Sequence, residues 1–500
     1  MSESPYDELG YEGCCVPITA PSLMITIARL AGFGTPACDA ARVLEIGCGD
    51  GGNLLPLAYY HPAWSFVGVD PSAEAIRIAE LGRHELGMSN LSFVQANAAT
   101  AVLDGKFDFV ICHGVYSWVA PGERDSVIAL AKERLSPQGL FYLSYNTEPG
   151  WRSRGLVRER LRKRTKGGSV LEQAEAAREE LEVMSELLGS GEGHPYLSLL
   201  RREIDFAKDK PLFHLAHEYL AEHNRAFWFG EVWDAADSHG LHYVGDAQDY
   251  RVEGAVSPEQ KELARQHSRD RREREESLDL VCYRQMRASL FCLAARSESE
   301  VDAAEVLRLG TLHSCLRPAV APVNLGDDIA AVFLCPYTQR QVQAASPFGK
   351  AALLTLAQVY PQGLSADALL LRVEAILPEE DDRDSSAELL EFLQGFAQLH
   401  GLGLVEARAV DVQEWVSAQP PAVPRLHRLA KYEAEHRAYL TSPVHDSLPI
   451  DAIDREVVRH MDGEHDTDLL ITIAEEEGCT DGEARVTRLH QTLSLWGLLA

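Results

Sequence analysis

The chain has 500 residues, too many for one hydrophobic core, so two to four domains are expected. Hydrophobic residues make up 46% of it and charged residues 25%, and no run approaches 18 apolar residues; this composition indicates a globular protein without signal peptide or membrane span. The net charge of −29 disfavours nucleic acid and anionic membrane surfaces as partners and favours a cationic or lysine-bearing substrate.

The ten cysteines also indicate where the protein works. They include no Cys-x-x-Cys pattern, and several lie within apolar runs. Cysteines of this kind are typical of reduced core residues, so the sequence predicts a cytoplasmic protein.

A glycine-rich turn follows the first predicted strand. Residues 43–46 form a short apolar run, Gly47, Gly49 and Gly51 follow at alternate positions, and residues 53–58 can begin a helix. A strand, a glycine turn and a helix in this order present backbone N–H groups to a ligand in a doubly wound sheet. The pattern therefore predicts an α/β fold with a ligand bound at this turn.

Two acidic residues indicate the kind of ligand. Glu45 stands two residues before the first glycine, where a carboxylate suits a cation better than a pyrophosphate. Asp70 ends the second predicted strand (66–69) and is placed to accept hydrogen bonds from both hydroxyls of a ribose. S-adenosylmethionine has a ribose and is cationic at its sulfonium and amino groups. The chain here resembles the class I S-adenosylmethionine-dependent methyltransferases, which have a Rossmann-like α/β fold.

The resemblance implies a set of cofactor-binding residues. The turn Gly47, Cys48, Gly49, Gly51 and Asn53 would hold the cofactor together with Glu45 at its methionine end and Asp70 at its ribose. Asn97, at the end of the third predicted strand (91–97), takes the place of an aspartate that usually accepts a hydrogen bond from adenine; a surface-loop role is the alternative. The backbone of His113 and Gly114 would bind the amino-acid end. Residues before the first strand would form a lid.

The acceptor of the methyl group should meet the cofactor after the fourth (107–112) and fifth (140–146) predicted strands. Tyr116, Trp118, Tyr145 and Trp151 are placed to line an apolar channel there. The hydroxyl of Tyr116 or Tyr145, or the side chain of Asn146, would act catalytically by orienting an amine. The alternative for the aromatic residues is hydrophobic packing at the edge of the sheet.

Longer motifs narrow the resemblance. The runs 113–119 and 144–151, together with 217–220, 227–229 and 235–243, resemble bacterial protein-lysine methyltransferases that modify outer-membrane proteins and carry a methyltransferase regulatory region. The N-terminal segment differs from this group, because residues 17–21 read Pro-Ile-Thr-Ala-Pro where members often have Pro-Gln-Thr-His-Pro. The resemblance implies S-adenosylmethionine as cofactor and a lysine-bearing protein as substrate.

Five segments are predicted. Residues 1–150 form the cofactor-binding core, and 151–210 form a helical insertion that is either a homodimer contact, as the resemblance implies, or a solvated helical hairpin. Residues 211–298 complete the core with a last, antiparallel strand (286–293), 299–345 form a small middle domain, and 346–500 form a winged-helix-like C-terminal domain. DNA binding is disfavoured there by the acidic run 379–382. No metal site is expected, because His214 and His217 lack a third ligand at a suitable spacing.

Three functions remain open from the sequence. The first is methylation of lysine side chains on a protein. The second is methylation of a peptide or small natural product, since the lid segment departs from the group's pattern. The third is a cofactor-binding regulator that transfers no methyl group.

Overall fold

The central sheet contains seven strands. They are β1 (Arg42–Ile46), β2 (Ser65–Asp70), β3 (Leu91–Gln95), β4 (Phe107–Cys112), β5 (Leu135–Asn146), β6 (His242–Asp246) and β7 (Met286–Cys292). The computed structural model describes residues 8–190, 193–247, 256–294, 301–336, 339–378, 383–409 and 423–500. The strand order is β3-β2-β1-β4-β5-β7-β6; the first five strands run parallel and β7 pairs antiparallel with both neighbours. This confirms the predicted Rossmann-like fold with its antiparallel last strand.

Helices cover the sheet and build the other domains. They are α1 (Pro21–Leu30), α2 (Leu54–Tyr60), α3 (Ala73–Leu86), α4 (Pro121–Arg134), α5 (Glu148–Arg164), α6 (Val170–Leu188), α7 (Pro195–Lys208), α8 (Phe229–Ser238), α9 (Pro258–His267), α10 (Arg271–Cys282), α11 (Ala303–Arg308), α12 (Pro347–Val359), α13 (Ala366–Glu374), α14 (Ser385–Gly401), α15 (Arg428–His436), α16 (Ala452–Arg459), α17 (Thr467–Glu476) and α18 (Gly482–Leu495). A 3₁₀ turn (Pro17–Thr19), a short helix (Leu212–His214) and a π-helix (Leu215–Leu220) complete them.

The sheet is apolar on both faces, as expected when helices cover both sides of a parallel sheet. Alternate residues of each strand enter separate cores: Tyr142 lies in one, whereas Phe141 and Tyr145 lie in the other. This period of two decides which side chains of β5 can reach a ligand.

A buried charged cluster joins the regulatory region to the sheet. Arg287 of β7 is fully buried; its Nε lies 2.8 Å from Asp279 Oδ2 and its Nη2 lies 3.1 Å from Glu275 Oε2, while Nη1 bonds to Asp246. Burying a guanidinium among carboxylates is tolerated only when each charge is paired. The cluster therefore holds α10 and β7 together and fixes the short segment between them, which borders the site described below.

The predicted helical insertion is present as α5, α6 and α7. These helices share a small core of their own with the π-helix, centred on Val157, Leu181 and Leu215. On the outer surface Val183, Leu187 and Tyr196 are exposed. The homodimer stays a prediction.

The C-terminal half forms two cores. One extends over residues 304–407, and its small sheet pairs β8 (Thr311–His313) with strands on both sides. The other contains residues 426–499. The first core thus crosses the predicted boundary between residues 345 and 346, because β8 pairs with residues on the far side of it. The acidic run 379–382 lies outside the described residues. Within the described ranges, no helix has the length and apolarity needed to cross a membrane.

Candidate active site

A cavity of about 1090 Å³ lies at the carboxyl ends of the parallel strands. Ligands in open α/β sheets bind at this edge. Most of the predicted site residues line the cavity: Glu45, Gly47, Cys48, Gly49, Asn53, Asp70, Asn97, His113, Gly114, Trp118, Asn146 and Trp151. Gly51, Tyr116 and Tyr145 are not among the lining residues. The N-terminal segment also borders the cavity from Gly10 to Cys14, in the position predicted for a lid.

The glycine turn forms one wall of the cavity. Gly47 has φ +77° and donates its N–H to Val69 O at 2.7 Å, and Gly49 has φ +52° and donates its N–H to Asp70 Oδ2 at 3.0 Å. These left-handed conformations favour glycine. A Cβ at Gly49 would meet no atom within 4 Å, so the turn leaves open space where a ligand can approach the backbone.

Glu45 places a buried carboxylate beneath this turn. Its Oε1 accepts a hydrogen bond from Asn53 Nδ2 at 2.8 Å, whereas the buried Oε2 has no partner within the described part of the chain. Burial raises the pKa of Glu45 to about 8, an effect that the bond from Asn53 opposes. A buried carboxylate oxygen without a partner is costly. A ligand with a cationic amino group would satisfy it, and the residues present therefore fit S-adenosylmethionine.

Asp70 is held firmly at the end of β2. Its Oδ2 accepts the N–H of Gly49, and its Oδ1 accepts the N–H of Ser72 at 2.9 Å. The backbone contacts orient the carboxylate, and its role with the ribose hydroxyls stays a prediction.

The side chain of Asn97 forms hydrogen bonds within its own loop. Its Oδ1 accepts hydrogen bonds from Ala99 N at 3.1 Å, Thr100 N at 3.0 Å and Thr100 Oγ1 at 2.9 Å. The oxygen that was expected to face adenine thus caps a turn. The side chain still lines the cavity, and its role with adenine stays a prediction.

The segment after β4 is fixed by β5. His113 Nδ1 lies 2.9 Å from the Tyr142 hydroxyl, and burial lowers the pKa of His113 to about 4, so the ring is neutral near pH 7. The N–H of Gly114 donates to Ser144 Oγ at 2.8 Å. Since that N–H is already used, these contacts shape the wall, and the backbone binding of the amino-acid end stays a prediction.

The predicted catalytic residues separate into two groups. Asn146 lines the cavity, and its Nδ2 donates a hydrogen bond to Asn224 Oδ1 at 3.1 Å. Tyr145 is fully buried on the opposite face of β5, and its hydroxyl bonds to Ser289 Oγ at 3.0 Å. Tyr116 is buried against Phe227, with ring centroids 5.1 Å apart, and burial raises the pKa of Tyr116 to about 12. The structure thus brings Asn146 to the site and places both tyrosines in the core behind it.

Two tryptophans also line the cavity. These are Trp118 and Trp151, and the Trp118 Nε1 atom is buried without a hydrogen-bond partner in the described ranges. Aromatic walls suit the alkyl chain of an acceptor and exclude water from it. That both tryptophans face a substrate channel stays a prediction.

Sequence reasoning missed two groups of lining residues. Arg154, Glu218 and Tyr219 come from α5 and the π-helix, and Gly13 and Arg437 come from the two ends of the chain. Glu218 lies in the run 217–220, which the sequence showed only as part of the resemblance to bacterial protein-lysine methyltransferases. Nothing near Arg437 in the sequence points to Asp50 of the glycine turn, 387 residues away. Only the tertiary fold brings these residues together.

Three family models match consecutive parts of the chain. A methyltransferase domain matches residues 43–139, a predicted methyltransferase regulatory domain matches residues 213–293, and the PKMT C-terminal winged helix domain matches residues 423–494. The prediction of an S-adenosylmethionine-dependent methyltransferase is thereby confirmed, and the winged helix lies within the predicted C-terminal domain.

Two curated relatives come from Rickettsia prowazekii. The uncharacterized protein RP789 is 26% identical over 94% of this chain and 85% of its own length. The uncharacterized protein RP028 is 31% identical over 46% of this chain and 93% of its own length. Because the chain covers nearly all of RP028 at this identity, the two proteins belong to one family.

Solved structures show the same fold over nearly the whole chain. PKMT2 from Rickettsia typhi in complex with AdoHcy matches 98% of this chain and 99% of its own with a TM-score of 0.84 at 22% identity. A second structure of PKMT2 from the same organism matches with a TM-score of 0.82 at 23% identity.

The chain belongs to the methyltransferase family in which a Rossmann-like methyltransferase domain is followed by a methyltransferase regulatory domain and a PKMT winged-helix domain.

Proposed function

We propose that this chain transfers a methyl group from S-adenosylmethionine to the side-chain nitrogen of lysine in a protein. The observation that carries the proposal is one cavity that two chemically different groups of residues line. One group is the glycine turn with the unpaired Glu45 carboxylate oxygen, which would form the cofactor end; the other is Asn146, Trp118 and Trp151, which would form the acceptor end. The PKMT description shared by the winged-helix model and the Rickettsia typhi structures, an abbreviation for protein-lysine methyltransferase, supports the choice of acceptor.

Three contacts would hold the cofactor. Glu45 Oε2 would accept from the amino group, Asp70 would accept from the ribose hydroxyls, and the open backbone at Gly49 would allow close approach. When bound, S-adenosylmethionine supplies an electrophilic methyl carbon on a sulfonium sulfur. The protein then mainly aligns the acceptor and excludes water.

An amine acceptor must lose a proton before it can attack. An apolar wall favours the neutral amine over the ammonium ion, and Trp118 and Trp151 would provide such a wall. Asn146 is the predicted catalytic residue that touches this space. Tyr116 and Tyr145 support the wall from behind, and a direct role for either hydroxyl stays a prediction.

The first test traces a labelled methyl group from S-adenosylmethionine to its acceptor. The purified chain is incubated with methyl-labelled S-adenosylmethionine and bacterial envelope or cytosolic extract, and the label is divided between protein and low-molecular-weight fractions. We expect label in protein, absent with Asp70→Ala. Label confined to small molecules or peptides would instead indicate the natural-product enzyme, and no label despite cofactor binding would indicate the regulator.

Cofactor binding should release a proton near neutral pH. Glu45 has a pKa of about 8 in the free protein, so most of its carboxyl groups are protonated at pH 7. An ammonium group at Oε2 stabilises the ionised form and lowers this pKa, so affinity should rise with pH up to about 8. Calorimetry with S-adenosylhomocysteine in buffers of different ionisation enthalpy should show close to one proton released at pH 7. Glu45→Gln should release none, and the same release by that variant would contradict the assignment.

A further inference from the structure

A π-helix brings consecutive side chains to the acceptor end of the cavity. His217, Glu218 and Tyr219 of the π-helix Leu215–Leu220 all border the cavity. Single π-turns are frequently found at functional sites. Asn224 ties this segment to β5, because its Nδ2 donates to Glu218 O at 2.7 Å and its Oδ1 accepts from Asn146 Nδ2. Glu218 and Asn146 are therefore held in a fixed relation.

Glu218 has a carboxylate that no side chain neutralises. It makes no hydrogen bond or ion pair with any residue that the structure describes, and Arg154 is the cation that stabilises its charged form. That guanidinium is already engaged: Nε lies 3.1 Å from the buried Glu203 Oε2, and Nη2 lies 3.1 Å from Gln285 Oε1. Since Glu203 compensates Arg154, Glu218 is left facing the cavity without a counter-ion.

Two further acceptors belong to Tyr219, the next residue, and to Asn146, which Asn224 joins to the Glu218 carbonyl oxygen. The Tyr219 hydroxyl is buried and has no hydrogen-bond partner in the described ranges, and Asn146 Oδ1 accepts no hydrogen bond from any described residue. An ammonium group has three N–H donors, and the carboxylate, the hydroxyl and the amide oxygen are three acceptors for them. The Trp151 ring, which also lines the cavity, already has the Arg154 guanidinium over it, 5.2 Å from the ring centroid. An anionic acceptor would be repelled by Glu218.

We propose that Glu218 is the catalytic residue that receives the primary ammonium group of the lysine acceptor and removes a proton from it. This inference rests on the lysine methylation proposed above. The step is a proton transfer: an N–H bond of the ammonium breaks, an O–H bond forms on the Glu218 carboxylate, and the electron pair of the broken bond stays on nitrogen. The resulting neutral amine is the nucleophile, and Tyr219 and Asn146 hold it.

The titration of the surrounding groups makes this step testable by pH. Burial raises the pKa of Glu218 to about 7, and Arg154 acts against that rise. Burial lowers the pKa of His214 to about 4 and lowers that of His217, whereas it raises the pKa of Tyr219 and Tyr283. Glu203 stays paired with Arg154, and Glu45 is held ionised by saturating cofactor. Glu218 is thus the group of this wall expected to change charge near pH 7.

The experiment compares Glu218→Gln with the wild type and with Glu222→Gln, an exposed glutamate four residues further on. Rates of methyl transfer to lysine in bacterial protein extract are measured from pH 6 to 9.5 at saturating cofactor. A general base contributes about 100-fold or more, so kcat of Glu218→Gln should fall by about that factor. S-adenosylhomocysteine binding should be unchanged in both variants, and Glu222→Gln should keep wild-type rates.

The pH profile separates a base from a structural residue. Glu218 must be ionised to accept the proton, so wild-type kcat/KM should fall as pH drops below about 7. In Glu218→Gln the rate should instead rise about tenfold per pH unit, because without the base it follows the fraction of lysine side chains that are already neutral in solution. If Glu218→Gln binds no cofactor, Glu218→Asp replaces it in the experiment, because aspartate keeps the carboxylate. The kcat/KM of Glu218→Asp should still fall below about pH 7, and its maximal rate should be reduced.

The two proposals fail in different ways. A wild type that labels no lysine overturns the proposed function itself. A wild type that labels lysine, beside a Glu218→Gln variant with the same rate and pH profile, overturns the role of Glu218 alone.

Discussion

Replacing Gly47 with alanine is expected to weaken cofactor binding strongly and to slow methyl transfer. Gly47 has φ +77°, and an added Cβ would lie 2.2 Å from Val115 Cγ2. The left-handed conformation alone costs about 1–2 kcal/mol for an alanine. Val115 borders the cavity and packs against the core, so it cannot simply turn away. The turn must shift, and the N–H of Gly49 and the Asp70 carboxylate shift with it.

Equilibrium dialysis with labelled S-adenosylmethionine measures this effect. We expect the Kd of Gly47→Ala to rise about 100-fold or more, equivalent to about 3 kcal/mol. Gly122→Ala is the matched control, because Gly122 lies in α4 with no atom within 4 Å of an added Cβ. The control should bind as the wild type does. Wild-type affinity in Gly47→Ala would contradict the assigned geometry of the turn.

Replacing Arg437 with alanine is expected to destabilise the protein and to weaken cofactor binding together. Arg437 of the winged-helix domain is buried; its Nη1 bonds to the Asp50 carboxylate of the glycine turn and donates to Gly13 O at 3.1 Å. The Tyr439 hydroxyl donates to the same carbonyl oxygen, also at 3.1 Å. One side chain thus joins the C-terminal domain, the N-terminal segment and the glycine turn. Its removal leaves Asp50 buried without its cation.

Losing one partner of a buried ion pair typically costs about 3–5 kcal/mol. We expect a clear fall in the denaturation midpoint of Arg437→Ala and a higher Kd for S-adenosylmethionine. Arg77→Ala removes an exposed ion pair with Glu74 and should leave the denaturation midpoint close to that of the wild type. Adding Asp50→Asn to Arg437→Ala should recover part of the loss, because the two residues are coupled. Equal midpoints for Arg437→Ala and Arg77→Ala would show that the domain contact is not structural.

The cofactor end of the site could be predicted because its parts are local in sequence. Glu45, the glycines and Asp70 belong to one strand-turn-helix unit and the next strand, and the geometry of such a unit follows from the chain itself. The start of α3 is capped by Ser72, whose side chain accepts a hydrogen bond from Ala75 N. Capping of this kind is also a local signal.

The acceptor end could be predicted only in part. Tyr145 and Asn146 are neighbours on β5, and neighbouring residues of a strand point to opposite faces, so both could not line one cavity. That signal was present in the sequence. Asn97 lines the cavity, and its side-chain oxygen caps its own turn, as asparagine readily does.

The remaining residues carry no local signal. Glu218 reaches the cavity through a π-helix packed on an inserted helical unit, and Arg437 reaches it from a separate domain. Their positions depend on contacts between residues tens to hundreds of positions apart. A single sequence shows the residue types at these positions, whereas only the folded chain shows that they face the same ligand space.

Identification of the methylated amino acid tests the central claim most directly. Protein labelled by the wild-type chain with methyl-labelled S-adenosylmethionine would be hydrolysed completely, and the labelled product identified by mass spectrometry. The account predicts methyllysine, at a level reduced about 100-fold by Glu218→Gln at pH 7.5. Label on another amino acid, with no methyllysine, would contradict it.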